Sequence, residues 1–366
     1  DYGFLRSSYG GTSPYVFLQG GASKTWSFEG RFASPKGERF DWLIGATHIN
    51  TTKHFTEDLT SKGIGALLPE QTAAGLVVGD RIHYGRSDTS GEENALFGEG
   101  NLHFGRFTLT AGGRLFRTQS QTRASYVGLL ANAVIPTVQV KDSGFAPKVS
   151  AKFNFSDNAM VYALASKGFR FGAPNTIFPV PGFVPPPGTT SDSLWNYEAG
   201  TRISLFDRKL QFDVTGFYID WKDLQVRLTV PFGDQTITYG TNAGKARIYG
   251  AEATLTVRPT TGLTLSSNVT YLDAKLSETV PGTVLVKGKR LPSSAKWRVS
   301  NTLSYSAGGA LDPTVTLLHR YVSRTPGYLN EPTSFDPYHI FDARIGVKIG
   351  DFAVAAYVEN IGDRRA

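Results

Sequence analysis

The chain has no cysteine among its 366 residues, which leaves no disulfide scaffold and no thiolate for zinc or for nucleophilic catalysis. Its single methionine is sparse for a core of ordinary packed helices. It also lacks any apolar run of about 18 residues that would make a spanning helix, and mean hydropathy is slightly polar at −0.19. That shortage does not exclude the bilayer. A spanning β-strand needs only about 9–11 residues and conceals its apolar face by alternation. Charge of one sign is not massed either. The net +7 is carried by basic residues scattered singly, without a basic run or an RNA-binding aromatic signature, so nucleic acid is not an expected partner. The N-terminus shows no basic or apolar segment of a signal peptide, and Asp1 is not an initiator. Together with an end just after a strand and a turn, this reads as a fragment.

What is present is glycine, aromatic side chains and alternation. Forty glycines and 12% aromatics suit many strands punctuated by turns. The pattern is clearest at 194–273. Trp195, Tyr197, Ala199, Thr201, Ile203 and Leu205 interleave with Asn196, Glu198, Gly200, Arg202 and Ser204, so one strand face is apolar and the other polar. Residues 206–209 form a turn, and Leu210, Phe212, Val214, Gly216 and Tyr218 resume the alternation. The unit recurs as Tyr249, Ala251, Ala253, Leu255 and Val257, a turn at 259–262, and Leu263, Leu265, Val269 and Tyr271.

Further hairpins fit at 24–33 with 40–50, 96–104 with 106–116, 144–155 with 159–169, 296–306 with 313–323, and 338–349 with 352–360. The pattern predicts about fourteen strands of about 9–13 residues, longer than the soluble mode of about 5–6. Long connections are expected at 51–93, 118–143, 170–193, 221–245, 274–295 and 324–336, alternating with short ones. An antiparallel up-and-down transmembrane β-barrel gives that asymmetry, with tight periplasmic turns and long external loops. Trp195, Tyr218, Trp221, Tyr271 and Trp297 lie near strand ends, where aromatic rings favour the headgroup level. A soluble propeller or sandwich shares the alternation but lacks the strand length and loop asymmetry, and no blade-sized repeat is present.

No residue set reads as catalytic. Gly98-Glu-Gly100 lacks the third glycine and the helix of a phosphate cradle, and no nucleophile elbow occurs. Six histidines show no metal-ligand spacing: His48 and His54 straddle a strand end, and His319 and His339 fall on outer faces or rims. Neither a metal nor a cofactor is expected. The functional candidates are external-loop side chains and the polar wall. Arg170, in Gly168-Phe-Arg-Phe-Gly172, sits where a strand becomes a loop. It suits gripping an anionic or chelated ligand by paired donors, or pinning the following loop. Phe171, Asn175, Phe178, Phe183 and Tyr239 are the accompanying ligand-contact candidates. A proline-stiffened aromatic loop at 174–187 suits a flat or catecholate-like ligand, or simply covers the mouth. For Tyr239, Tyr249 and Trp221 the structural reading is preferred. Glu198, Arg202, Glu252 and Arg258 are assigned to the lumen-facing wall, where cross-strand ion pairs and solvation compete with a role on the solute path.

Several strings resemble the barrel of TonB-dependent outer-membrane receptors: Tyr162-Ala-Leu-Ala-Ser-Lys-Gly-Phe-Arg-Phe-Gly172, Asn196-Tyr-Glu-Ala-Gly-Thr-Arg202, Phe217-Tyr-Ile-Asp-Trp-Lys-Asp223, Gly250-Ala-Glu252 and Tyr357-Val-Glu-Asn-Ile-Gly-Asp363. They occur in the family's order, and the likeness runs from about Lys24 to the end. It implies that residues 1–366 are a partial barrel of a bacterial outer-membrane receptor, with about fourteen of about twenty-two strands, without the plug domain or the closing strand. It further implies a setting in outer-membrane lipid, energy from the TonB complex through the missing plug, and a scarce solute as cargo. A ferric siderophore leads because iron chelates are the family's commonest cargo. The alternatives are a passive porin-like channel and a non-transport outer-membrane barrel.

Overall fold

A computed structural model describes residues 15–176, 182–184, 186–233, 235–281, 283, 285–327, 329 and 333–365. Fourteen strands form one antiparallel sheet. In chain order these are β1 (Tyr15–Ala33), β2 (Phe40–Ser61), β3 (Arg81–Phe104), β4 (Phe107–Gly128), β5 (Ala133–Ser156), β6 (Ala159–Arg170), β7 (Asp192–Leu205) and β8 (Leu210–Lys222). A separate hairpin, β9 (Gln225–Phe232) with β10 (Gln235–Asn242), stands apart from the sheet. The sheet resumes with β11 (Ala246–Val257), β12 (Leu263–Leu276), β13 (Trp297–Ser306) and β14 (Thr314–Val322). After the minor pair β15 (Thr325–Pro326) and β16 (Ser334–Phe335) it ends in β17 (Tyr338–Ile349) and β18 (Phe352–Val358). Each strand of the sheet pairs with its sequence neighbours, apart from the step from β8 to β11 over the β9–β10 hairpin and the step from β14 to β17 over the β15–β16 pair. No described helix is long and apolar enough to cross a membrane.

Register turns the alternation of single strands into continuous rows. Tyr197 pairs with Tyr218, which pairs with Tyr249; Ile203, Phe212 and Leu255 make a second row. The same face carries Phe28, Phe32, Ile44, Leu96 and Phe145, all more than half exposed. An open apolar face of this extent in water would drive aggregation. Against hydrocarbon it is the expected surface, and the opposite face is the polar lumen. Short turns close the periplasmic side. β3 meets β4 through Gly105-Arg106 and β17 meets β18 through Gly350-Asp351, the glycines at φ 59° and 60°. Positive φ at the first position of a two-residue hairpin matches the twist of the strands, and glycine adopts it without Cβ strain.

The structure revises three of the long connections. Residues 51–93 are mostly strand, with β2 running to Ser61 and β3 starting at Arg81. Only 62–80 is a loop, and it carries the short helices α1 (Ile64–Leu67) and α2 (Pro69–Ala73). In 118–143 the connection shrinks to 129–132. The reason is environmental. Above the bilayer both faces are wet, so Arg117, Gln119, Gln121 and Arg123 alternate with Thr118, Ser120 and Thr122. Period-two hydrophobicity vanishes although the backbone stays paired. Residues 221–245 likewise hold the β9–β10 hairpin.

Two apolar clusters of soluble type lie among these external segments. Leu59, Ile64, Leu68, Val77 and Ile82 anchor the 62–80 loop. Leu224, Val226, Leu228, Leu276, Leu285 and Leu291 join the hairpin to the ends of β11 and β12 and to the following loop.

Candidate functional site

The site is the external mouth, where the ends of β6, β7 and β8 meet the loop 171–191 and the β9–β10 hairpin. Arg170 is the last residue of β6 and pairs in register with Asp192, the first of β7, so both point to the lumen side. The Asp192 carboxylate is 1% exposed. It receives Arg170 Nε at 3.0 Å on Oδ2 and the Gln225 backbone N–H at 3.2 Å, and it is also paired with Arg170 Nη2. A guanidinium presents two parallel donors to a carboxylate, and here both are engaged. The same guanidinium lies 4.6 Å from the Trp221 ring centroid, a cation–π contact.

Trp221 therefore departs from the girdle role expected of it. It pairs in register with Leu194, on the inward face, and packs against the external apolar cluster. Trp195, Tyr218, Tyr271 and Trp297 share the outward face, and the Tyr271 and Trp297 rings lie 4.8 Å apart.

Side-chain amides bind the loop to the hairpin. Gln225 Nε2 donates to the carbonyls of Phe171 and Thr190 at 2.9 and 3.0 Å. Asn175 Nδ2 donates to Pro186 O at 2.9 Å and Gly240 O at 2.7 Å, while Gly240 N–H donates back to Asn175 Oδ1 at 2.9 Å. Asn242 accepts from Thr190 N–H at 2.7 Å and donates to Thr190 O and Asp223 O at 2.9 and 2.8 Å. Amides serve both partners of an irregular backbone because each carries donors and an acceptor. The loop at Phe171, Asn175, Pro186 and Thr190 is thereby joined to the hairpin and the segment leading into it.

Aromatic groups complete the mouth. Phe183 lies 5.5 Å from Phe232 and 5.7 Å from Tyr239, between ring centroids. Phe116, Phe169 and Phe171 form a second group. Phe171 borders a cavity of about 220 Å³ together with Thr51, Lys53, Glu93, Thr118 and Ser120. Phe178 lies outside the described residues. Arg170, Phe171, Asn175, Phe183 and Tyr239 thus fall within one assembly, although they come from three elements.

Below the mouth, the wall candidates separate. Glu198 accepts from Tyr162 Oη, whose oxygen also lies 2.9 Å from Thr215 Oγ1. Arg202 Nε is paired with Asp213 at 2.9 Å. Glu252 faces the lumen beside Thr215 in register. Arg258 follows the end of β11, and its Nη1 donates to Gln211 Oε1 at 2.8 Å and Arg208 O at 3.2 Å, at the β7–β8 turn. Sequence reasoning missed Asp192, Gln225, Asn242, Lys53 and Glu93. No local signal names Asp192, since the register of β6 on β7 is lost across the loop that separates them.

The comparisons with known proteins agree on one fold. The profile of the family described as TonB dependent receptor-like, beta-barrel, matches residues 1–361. The crystal structure of the ferric yersiniabactin uptake receptor FyuA from Yersinia pestis superposes with a TM-score of 0.77 at 18% identity, over 96% of this chain and 50% of that one. The siderophore receptor PiuA from Acinetobacter baumannii gives 0.69 at 14%, over 94% and 53%. The copper transporter OprC gives 0.68 at 15%, over 95% and 52%. The chain spans about half the length of these three structures. At such identities the likeness is one of fold, a multi-pass β-sheet of the outer membrane.

Proposed function

Because the chain belongs to the TonB-dependent receptor β-barrel family, we propose that it forms the wall and mouth of a receptor that captures a scarce solute and imports it with energy supplied by TonB. The leading cargo is a ferric siderophore. The observation that carries the reading is the joined mouth, where the described parts of loop 171–191 and the β9–β10 hairpin are held together by Asn175, Gln225 and Asn242 above a polar lumen. A passive pore has no need of a stiff, aromatic-bearing assembly at its entrance. A receptor that must retain dilute cargo does, because preorganised groups lose little entropy on binding.

Within that assembly Arg170, Phe171, Phe183 and Tyr239 are the proposed contacts, with Asn175 holding the loop to which they belong. Lys53 and Glu93 in the adjoining cavity supply charge of both signs. Solved relatives named for ferric yersiniabactin and ferric citrate support an iron chelate, and the copper transporter keeps other metal cargo in the field. The test is uptake of radiolabelled ferric siderophores by cells carrying the receptor, with and without TonB. Accumulation that stops without TonB supports the proposal. Accumulation that persists would replace it with a passive channel.

A further inference from the structure

The lipid-facing side of β12, β13, β14 and β17 carries a line of polar residues where hydrocarbon would be expected. Ser267, Asn301 and His319 occupy one register row: Ser267 pairs with Asn301, and Asn301 with His319. Their row-mates and neighbours on that face are Leu265, Leu303, Leu317 and Phe341. Polar groups facing lipid are costly unless they satisfy one another. These do. Ser267 Oγ–H donates to Asn301 Oδ1 at 2.8 Å. Asn301 Nδ2 lies 3.0 Å from His319 Nδ1, and His319 Nε2 lies 2.9 Å from His339 Nδ1.

With the Asn301 amide as placed, the direction of the whole chain follows. The amide donates, so His319 Nδ1 accepts and its proton sits on Nε2. That proton is given to His339 Nδ1, which leaves the His339 proton on Nε2. Among the described residues nothing accepts from His339 Nε2. The chain therefore delivers one unused N–H donor to its outer end. His339 is held there by Tyr321, with ring centroids 4.6 Å apart, and by the parallel His319 ring at 5.2 Å.

Depth identifies the acceptor. His339 shares a row with Tyr321 and Val299. The girdle pair Trp297 and Tyr271 lies one row further out, about 7 Å along the strand. Indole and phenol rings mark the headgroup level, and strand tilt shifts a row by only about 3 Å in depth per strand, so His339 Nε2 lies in the interfacial zone beside them, where acyl linkages lie. A groove of about 440 Å³ lies inward of His339, bounded on that side by its neighbours His319 and Phe341 and walled by Leu255, Leu265, Leu303 and Leu317, with Ser267 and Asn301 at its base. That volume suits one elongated apolar molecule.

We propose that this groove is a fixed lipid site, which seats one acyl chain of an ester-linked outer-leaflet lipid whose linkage carbonyl accepts the His339 Nε2–H. The polar line then serves as an address within an otherwise uniform surface. Apolar contact supplies affinity along the chain, and the single donor selects a lipid that has a carbonyl at the right depth.

Native mass spectrometry of the protein extracted from its membrane in mild detergent tests this, with heat-modifiable gel mobility confirming that each variant is folded. The wild type should retain one tightly held lipid. His339→Ala should lower the retained fraction about tenfold, His339→Gln should restore part of it through its own N–H, and Leu317→Trp should abolish it by filling the groove. A second measurement needs no variant: in nanodiscs, ester-linked phosphatidylethanolamine should displace bound lipid at least several-fold better than its ether-linked analogue, which has no carbonyl. Equal retention across the variants, or equal competition by the two lipids, would overturn the proposal. A dimer lost in the same variants would also overturn it and assign the groove to a second copy of the chain.

Discussion

Arg170 holds a buried carboxylate, roofs an indole and ends a strand, all with one side chain. Removing it leaves Asp192 without its ionic partner in a place water hardly reaches. Arg170→Ala is expected to cost the mouth about 1–3 kcal/mol of local stability, the penalty for a buried group left unpaired, while the transmembrane wall stays folded. Faster limited proteolysis within 171–191 reads the local loss. Ligand titration of Arg170→Ala beside Asp192→Ala then separates two roles. A larger loss of affinity for the arginine variant is expected if Arg170 touches cargo; equal losses would make it a positioning residue. The ambiguity in sequence had a physical origin. An arginine between two phenylalanines at a strand end is compatible with both roles, and its partner lies across a loop whose path no local pattern encodes.

Neighbouring positions on one strand give a direct test of facing. Ala253 looks outward in the row of Val214 and Val269, one row deeper than the Tyr271 girdle, whereas Glu252 looks into the lumen beside Thr215. Ala253→Arg should destabilise the folded protein in bilayers by about 2–4 kcal/mol, the cost of a cation on the lipid face inside the apolar band. Glu252→Arg should change stability little. Equal unfolding midpoints in urea would reverse the assignment of faces.

The periplasmic turn between β13 and β14 responds to acid instead. Asp312 accepts from Lys348 Nζ at 2.8 Å, Ser306 Oγ at 2.6 Å and Gly308 N–H at 3.1 Å. The Lys348 ammonium, foremost among these, holds its carboxyl at about 2, below the ordinary 3.8. A depressed folded pKa contributes stability that is fully present above the unfolded value and is lost as pH falls through the folded one. The Asp312 share is thus intact above about pH 4 and disappears toward pH 2. Asp312→Asn should flatten the fall in unfolding midpoint between pH 5 and pH 2; an unchanged slope would mean the turn does not report on stability.

At this scale the sequence was most readable where lipid imposes alternation. Strands β6 to β8 and β11 to β14 follow the pattern of Trp195, Tyr197 and their successors almost residue for residue. The upper halves of β2 to β5 escaped it because water bathes both faces there. The hairpin β9–β10, within the long connection expected at 221–245, escaped for a related reason: Val226, Leu228 and Ile237 are buried among external segments, away from the lipid that imposes the pattern elsewhere.

Across the whole molecule, the mouth behaves as a unit because amides from one loop end on the backbone of another. The chain has no cysteine of its own, so a designed pair can lock that unit without competing thiols. A Cβ built on Gly240 would lie 3.1 Å from Asn175 Oδ1, so the two positions are in side-chain contact and Asn175→Cys with Gly240→Cys is the pair to test for bridging. If cargo must pass between loop and hairpin, the oxidised pair should bind ligand but stop uptake, and reductant should restore it. Uptake indifferent to oxidation would show that the two move together. The family and the wall were legible from ordered strings and alternation. The joining of loop to hairpin was not, since Gln225 and Asn242 are ordinary polar residues until the fold brings a carbonyl to each.

The strands are unequal in a way that matters to anything approaching from outside. At about 3.3 Å per residue and a tilt of about 40°, the 24 residues of β3 rise roughly 60 Å, against an apolar band of about 25 Å. The nine residues of β14 rise only about 23 Å by the same reckoning. Within this chain the β2–β5 side is a parapet and the β11–β14 side a low sill. Antibodies raised against whole cells should therefore recognise chiefly the upper β2–β5 surface around His54, Asp88 and Arg123, and they should do so only while the strands remain paired.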